Sequence, residues 1–297
     1  MPNSIADIVG EESKVTRSDV SSGVLPLIRL QIGLCENMIG RLPEDSNLAE
    51  IMRLTAIPLR IVSFRMEMRR RLGESLMKEL RACQKEVISC DPGPYYVDKY
   101  RRREALGVLH ILRWISEEGR SGEVTNCLDV GCGYGTLALF CERVLHCDMF
   151  CIDVSDKLST RTLASKHNFN FKVCNIETDE IPWSHKFDAV VFTEVMEHLN
   201  FNPVPTLAKI ADAMTASGRL YLSTPDAREA GRIPRYFSSW TDMPQPVVGK
   251  PLIDDHIYFF TEDELRDIAD RAGLRIVRLE NSPGFAARHL NAILMKK

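Results

Sequence analysis

The sequence predicts an α/β fold in which helices cover both faces of a mostly parallel, doubly wound sheet. Between residues 126 and 223, short apolar segments typical of buried strands alternate with amphipathic helical patterns. A turn with three closely spaced glycines follows the first of these strands and opens a helix. This rhythm of strand, turn and helix favours βαβ units over an antiparallel or all-helical fold.

The first ninety residues carry a different pattern. Residues 1–23 are polar and have no sustained period, which predicts a disordered or loose arm. Residues 24–90 have apolar positions at helical spacing, interrupted by Pro43 and Pro58, and are predicted to form a helical N-terminal subdomain. Its long amphipathic helices suggest a possible homodimer.

The remainder, residues 91–297, is expected to form the α/β domain. This domain begins with an amphipathic helix at 100–117. Each strand is bounded by turn residues, and each helix has one apolar face. The expected strands are 126–130, 149–153, 170–174, 187–193 and 218–223, and the helices between them are 136–144, 156–167 and 204–216.

The C-terminal part predicts one more helix and a hairpin. Thr261 and Glu264 have the spacing of a capping box, which predicts that a helix begins there, and Gly273 ends it near Ala272. Residues 274–280 and 290–296 complete a seven-stranded sheet as two closing strands. The preceding segment, 227–255, is rich in proline and aromatic residues, and a long connection at this sheet edge predicts a substrate lid.

The glycine turn is a candidate nucleotide site. Gly131, Gly133 and Gly135 follow Asp129, but position 136 is Thr136, where a dinucleotide fingerprint has its third glycine. A carboxylate beside the turn disfavours a pyrophosphate and favours a cationic ligand such as S-adenosylmethionine. Asp153, at the end of the second strand, is placed to bind ribose hydroxyls.

These segments resemble the class I S-adenosylmethionine-dependent methyltransferases, which implies a Rossmann-like sheet with one antiparallel strand. Residues 187–199 resemble the family's fourth strand and following turn, and residues 218–226 its fifth strand. The pattern of His256 followed by Phe259 resembles the corresponding segment in the branch that includes quinone-biosynthesis and sugar or natural-product O-methyltransferases. The resemblance implies ten cofactor-binding residues: Asp129, Gly131, Cys132, Gly133, Gly135, Asp153, Val154, Asn175, Ile176 and Glu194. Asn175 replaces the acid common at the adenine position.

Methyl transfer to a hydroxyl needs a base, and three residues are candidates: His198, His256 and Glu194. No metal is favoured, but an alternative uses Glu194, Glu197, His198 and His256 as ligands. That set resembles the divalent-metal site of the methyltransferases that modify the 3′-terminal 2′-hydroxyl of small RNAs. A third possibility is a non-catalytic partner subunit with a methyltransferase fold.

Composition narrows the partners. The formal net charge of −3 over 297 residues makes nucleic acid an unlikely partner and favours a small-molecule or sugar acceptor, methylated on oxygen. No apolar run approaches the length of a membrane span, and the N-terminus has no secretory leader pattern. The nine cysteines include no C-x-x-C pair, which favours reduced thiols and a cytoplasmic location.

Overall fold

The computed structural model describes residues 73–297 except 102–103, 105–106, 120, 157–159, 231–235 and 284–287, together with the single residues 31, 62 and 66. The chain divides into two units, Met1–Gly73 and Glu74–Lys297. The predicted N-terminal arm lies outside the described residues, as does nearly all of the predicted helical subdomain up to residue 72.

The second unit is built on a seven-stranded sheet, as predicted. The strand order is β3-β2-β1-β4-β5-β7-β6. The first five strands run parallel, whereas β7 lies antiparallel between β5 and β6, which confirms the closing hairpin. The strands are β1 Asn126–Val130, β2 Asp148–Asp153, β3 Asn170–Val173, β4 Phe187–Thr193, β5 Met214–Pro225, β6 Leu274–Pro283 and β7 Arg288–Lys296.

Helices flank this sheet. Within the second unit, a first helix, α1, covers residues 74–89, and a π-helical turn, Tyr96–Tyr100, follows it. The other helices are α2 Leu109–Gly119, α3 Thr136–Leu145, α4 Thr160–His167, α5 Pro203–Ala213, α6 Ala227–Ala230 and α7 Glu262–Arg271. The capping box predicted at the start of α7 is present, because Thr261 and Glu264 each accept a hydrogen bond from the other's backbone amide.

Two predicted boundaries are wrong. The helix expected to run to residue 216 ends at Ala213, and β5 begins at once with Met214. Met214 is buried and pairs with Phe187, and a bulge before Ala189 absorbs the extra residues. The helix expected over 100–117 is interrupted by a turn at Val108, so that α2 begins only at Leu109.

Helix α1 packs on the sheet's own helices. Its buried side chains include Cys83 and Val87, and its acidic residues pair with α3 and α4 at Arg143 and Lys166. Residues 74–90, assigned above to the helical subdomain, therefore belong to the same unit as the sheet.

The apolar strands form the core. Strands β1 and β4 are buried along almost their whole length, as expected for central parallel strands covered on both faces. Part of the predicted lid also enters this core, since Trp240 and Met243 are 4% and 3% exposed. No described helix combines the length and apolar character needed to cross a bilayer.

Candidate active site

A cavity of about 510 Å³ lies at the edge of the sheet where the parallel strands end. The elements around it are the glycine turn after β1, the turn after β4, the start of β7 and the segment between α1 and α2. Such an edge is the usual ligand site of doubly wound sheets. The predicted site residues that line it are Asp129, Gly131, Cys132, Gly133, Glu194, Glu197, His198 and His256.

The glycine turn has the backbone geometry that only glycine adopts easily. Gly131, Gly133 and Gly135 have φ values of 73°, 52° and 80°. The Gly133 amide donates to Asp153 Oδ2 at 2.9 Å, and the Ser155 amide donates to Asp153 Oδ1 at 3.3 Å. Asp153 thus holds the turn against the end of β2.

Asp129 is a carboxyl group that the fold leaves incompletely satisfied. It is 2% exposed, and its Oδ2 atom has no hydrogen-bond partner among the described residues. Burial, and next the nearby Asp153, raises the pKa of Asp129 to about 7. A buried carboxyl oxygen without a partner is costly unless a ligand satisfies it, so a cationic group suits this position.

A second carboxyl group, Glu104, lines the same cavity. Burial raises its pKa to about 7, although hydrogen bonds from the side chains of Thr136, Gln84 and Tyr96 act in the opposite direction and lower it. The Gln84 amide lies 3.3 Å and the Tyr96 hydroxyl 3.5 Å from Glu104 Oε2. The first turn of α3 and helix α1 therefore both support this group.

The residues predicted for the adenine end lie outside the lining of this cavity. Asn175 is engaged in its own turn, where its Oδ1 accepts from the Glu177 amide at 3.0 Å. Ile176 is buried, whereas the Val154 side chain is 53% exposed. Asp153 and Gly135 are not among the residues that line the cavity either.

His198 and His256 lie together at one side of the cavity. Their ring centroids are 4.6 Å apart. His198 Nδ1 lies 2.9 Å from the carbonyl oxygen of Asp255. A carbonyl only accepts, so Nδ1 carries the hydrogen, and the Nε2 of a neutral His198 is left as an acceptor. Burial, and then the neighbouring His198, lowers the pKa of His256, which favours a neutral ring there as well.

Glu197 joins these two histidines. Potential ligand atoms of Glu197, His198 and His256 all lie within 4.8 Å of one another. Glu197 is 1% exposed and accepts a hydrogen bond of 3.0 Å from the Thr224 hydroxyl. Burial, and next Glu194, raises the pKa of Glu197.

Glu194, the fourth residue of the predicted ligand set, is not part of this group. Its Oε1 accepts a hydrogen bond of 2.7 Å from Ser223 Oγ, and its Oε2 lies 3.0 Å from His289 Nε2. Its backbone has a φ of 55°, an uncommon value for a residue with a side chain. Tertiary contacts hold Glu194 in this conformation, since its amide also donates to the Ser223 carbonyl.

Sequence reasoning missed several residues of the cavity. Tyr100 and Tyr134 have ring centroids 5.1 Å apart, and Tyr96 packs on Tyr134 at 4.7 Å. The aromatic run beginning at Tyr95 was a visible signal for these residues. Nothing local in the sequence marked His289. The missed residues that line the cavity are Tyr95, Tyr100, Glu104, Gly107, Tyr134 and His289, among others.

Comparison with known proteins agrees with the fold. Residues 97–279 match a family described as a methyltransferase domain. No curated protein matches the sequence.

Solved structures match at low identity. Magnesium protoporphyrin IX methyltransferase from Synechocystis PCC 6803, with bound SAH, is 16% identical with a TM-score of 0.50, covering 78% of this chain and 100% of that chain. A 1,6-didemethyltoxoflavin-N1-methyltransferase from Burkholderia thailandensis is 17% identical with a TM-score of 0.48, covering 73% and 89%. At 16% identity, the match to the magnesium protoporphyrin IX methyltransferase supports the fold alone.

Proposed function

We propose, from the premise that this chain belongs to the methyltransferase-domain family, that it methylates a hydroxyl group of a small molecule or sugar. The family match covers residues 97–279, which is most of the second unit. The chain is an S-adenosylmethionine-dependent methyltransferase. This favours the enzyme over the non-catalytic partner subunit. The acceptor and the residues that serve it are the proposal.

The cofactor end of the proposal depends mainly on Asp129. Its buried and unpartnered Oδ2 suits the positive charge of S-adenosylmethionine, and Gly131 and Gly133, which have no side chains, let a ligand approach the backbone in the same cavity. Asp153 would bind the ribose hydroxyls while holding the turn. When bound, the cofactor supplies a methyl group activated by its sulfonium.

The histidine pair supports an oxygen acceptor. A hydroxyl group must lose its proton as its oxygen takes the methyl group, and a neutral imidazole in the cavity can receive that proton. His198 is fixed in the tautomer that leaves Nε2 as acceptor, and the lowered pKa of His256 keeps its ring neutral near pH 7. The new carbon–oxygen bond forms as the carbon–sulfur bond breaks, and sulfur keeps that electron pair. Either histidine is the base in this proposal.

The first experiment is calorimetric titration with S-adenosylhomocysteine, comparing the native protein with Asp153→Ala. The matched control is Asp156→Ala, an exposed acid that pairs with Arg161. We expect the Asp153 variant to lose about 10- to 100-fold in affinity, and the control to bind normally. Equal affinity in both folded variants would contradict the assignment of Asp153.

The acceptor is then sought with radiolabelled S-adenosylmethionine and a panel of catechols, phenols and sugars. With an acceptor in hand, His256→Gln should lower kcat by about 10²- to 10⁴-fold if His256 is the base. His198→Gln measures the other candidate. Transfer to amines but not to hydroxyls would refute the proposed acceptor class.

A second candidate is a metal-dependent RNA 2′-O-methyltransferase. The observation that favours it is the grouping of Glu197, His198 and His256, in which the Nδ1 atom of His198 bonds a carbonyl and its Nε2 stays available to a metal. A metal there would bind the ribose hydroxyls and lower the pKa of the attacking one. Manganese uptake by the native protein that Glu197→Ala abolishes, with methylation of a short RNA, would promote this candidate.

Location and assembly stay predictions. Eight cysteines are described, all are free thiols, and seven of them are buried. Free thiols support the predicted cytoplasmic location. The predicted homodimer rests on N-terminal helices that lie outside the described residues.

A further inference from the structure

We propose that Glu194 is an acceptor-binding carboxylate and that His289 is the positioning residue that holds it. This inference rests on the proposed function, because it concerns the side of the same cavity where the methyl group is received. It separates Glu194 from the group formed by Glu197, His198 and His256. It also assigns a role to His289, which no sequence motif marked.

Both residues reach the cavity from strand ends. Glu194 directly follows β4, and His289 is the second residue of β7, paired with Pro225 at the end of β5. The side chains of His289 and Glu194 are 13% and 30% exposed. They are thus partly shielded from solvent but open to the cavity that both of them line.

The carboxylate of Glu194 is held at both oxygens. Ser223, fully buried on β5, donates to Oε1 at 2.7 Å. His289 Nε2 lies 3.0 Å from Oε2. A carboxylate oxygen accepts more than one hydrogen bond, so each still has capacity for a ligand. With its rotamer fixed by two partners, Glu194 presents that capacity in one direction.

Gly107 lies directly behind the pair of side chains formed by Glu194 and His289. A Cβ atom at this position would lie 3.1 Å from Glu194 Oε1 and 3.1 Å from His289 Cδ2, so both side chains lie directly against its backbone. The Gly107 carbonyl accepts hydrogen bonds from Ser282 at 2.7 Å and from Asn291 at 2.8 Å, both fully buried. The wall behind the pair is therefore anchored to β6 and β7.

Glu194 also lies beside the glycine turn. A Cβ atom on Gly131 would come within 2.4 Å of the side chain of Val195, the residue that follows Glu194. The turn after β4 and the glycine turn are thus in direct contact. A ligand held on the glycine turn lies in the same cavity as Glu194, and a carboxylate there suits an N–H, an O–H or an ammonium group.

The charges of the described cavity lining agree with this preference. Acidic and histidine side chains face the cavity, and the described lining includes no lysine or arginine. In the reaction, Glu194 accepts a hydrogen bond from an O–H or N–H group of the acceptor next to the one that is methylated, while the proton of the reacting hydroxyl goes to the histidine base. An anionic acceptor would be repelled at this wall.

Sinefungin tests the proposal without a known acceptor. In this analogue of S-adenosylhomocysteine, a carbon bearing an amino group replaces the sulfur, so an ammonium group takes the place of the transferred methyl group. We expect the native protein to bind sinefungin more tightly than S-adenosylhomocysteine. Glu194→Gln should reduce that preference about tenfold, because a hydrogen bond to a charged partner is lost.

His289 is tested by two substitutions. His289→Ala should reduce the sinefungin preference, since Glu194 loses one of its two supports. His289→Gln should restore most of it, because the glutamine amide can donate from about the position of Nε2. A merely structural role would lower both affinities together. The control is His185→Gln, an exposed histidine away from the cavity.

The outcomes separate this inference from the proposed function. If the native protein binds neither compound, the proposed function fails and this inference with it. If S-adenosylhomocysteine binds but the sinefungin preference is the same in native protein and Glu194→Gln, only the role of Glu194 is overturned. If His289→Ala keeps the preference, its positioning role is overturned. Should that variant not fold, Gly107→Ala displaces the same pair and is expected to lower the preference.

Discussion

Replacing Gly131 by alanine should damage the glycine turn in two separable ways. The first is conformational, because Gly131 has a φ of 73°. The second is steric, because the new Cβ would lie 2.4 Å from Val195 Cγ2 and 3.3 Å from its Cγ1. Two other glycines with a similar backbone offer a comparison. Gly249 and Gly122 have φ values of 80° and 66°, and a Cβ added to either would have no described neighbour within 4 Å.

The magnitudes follow from these two effects. An alanine in the left-handed region costs about 1–2 kcal/mol, and overpacking at a tight contact costs about 1–3 kcal/mol. Gly131→Ala should therefore lower the free energy of unfolding by about 2–5 kcal/mol, and Gly249→Ala by about 1–2 kcal/mol. In the double variant with Val195→Ala, the steric part should be largely recovered, because only the Val195 Cβ contact at 3.4 Å remains.

Urea unfolding of the four proteins in this cycle gives the coupling energy between Gly131 and Val195. Calorimetry with S-adenosylhomocysteine gives the functional cost, which should be large for Gly131→Ala and absent for Gly249→Ala. A coupling energy near zero would refute the contact. Equal losses of stability in Gly131→Ala and Gly249→Ala would show that backbone conformation alone accounts for the effect.

Two pH-dependent predictions concern carboxyl groups whose pKa values are shifted in opposite directions. The pKa of buried Asp129 is raised to about 7, so its contribution to the free energy of unfolding is full below about pH 4 and is lost as the pH rises to 7. Asp129→Asn should remove this loss of stability, which is at most about 4 kcal/mol. Urea unfolding of both proteins at pH 5 and pH 8 measures it. If Asp129→Asn stabilised the protein less at pH 8 than at pH 5, the raised pKa of Asp129 would be contradicted. The pKa of Asp188 is lowered, because hydrogen bonds from Thr125 and Asn126 outweigh partial burial, so its contribution is present above about pH 4 and lost below it. Asp188→Ala should cost about 1–3 kcal/mol at pH 7, far less at pH 3, and leave binding of S-adenosylhomocysteine intact.

The fold was predictable from sequence where local signals and tertiary pairing agree. Strand β1, the glycine turn and α3 were expected within one residue, because glycine spacing and apolar periodicity are properties of neighbouring residues. The start of β5 was not, because Met214 is compatible with the end of a helix and becomes a strand residue only through its pairing with Phe187 on β4. Propensity yields to such pairing.

The candidate site divides in the same way. Asp129, Gly131 and Gly133 could be named from one short motif. Gly107 and His289 are far apart in the chain, and what brings them together is the insertion of β7 between β5 and β6. No pattern of nearby residues encodes that contact.

Sheet topology nevertheless contains a rule that would have found His289. Parallel strands deliver their last residues to the ligand edge, but an antiparallel strand runs the other way and delivers its first residues there. Once β7 is recognised as antiparallel, its opening residues become as eligible for the site as the residues after β1 and β4. His289, paired with Pro225 at the end of β5, is in that position. In a sheet of this order, a polar side chain at the start of the inserted strand therefore merits the same mutational test as the glycine turn.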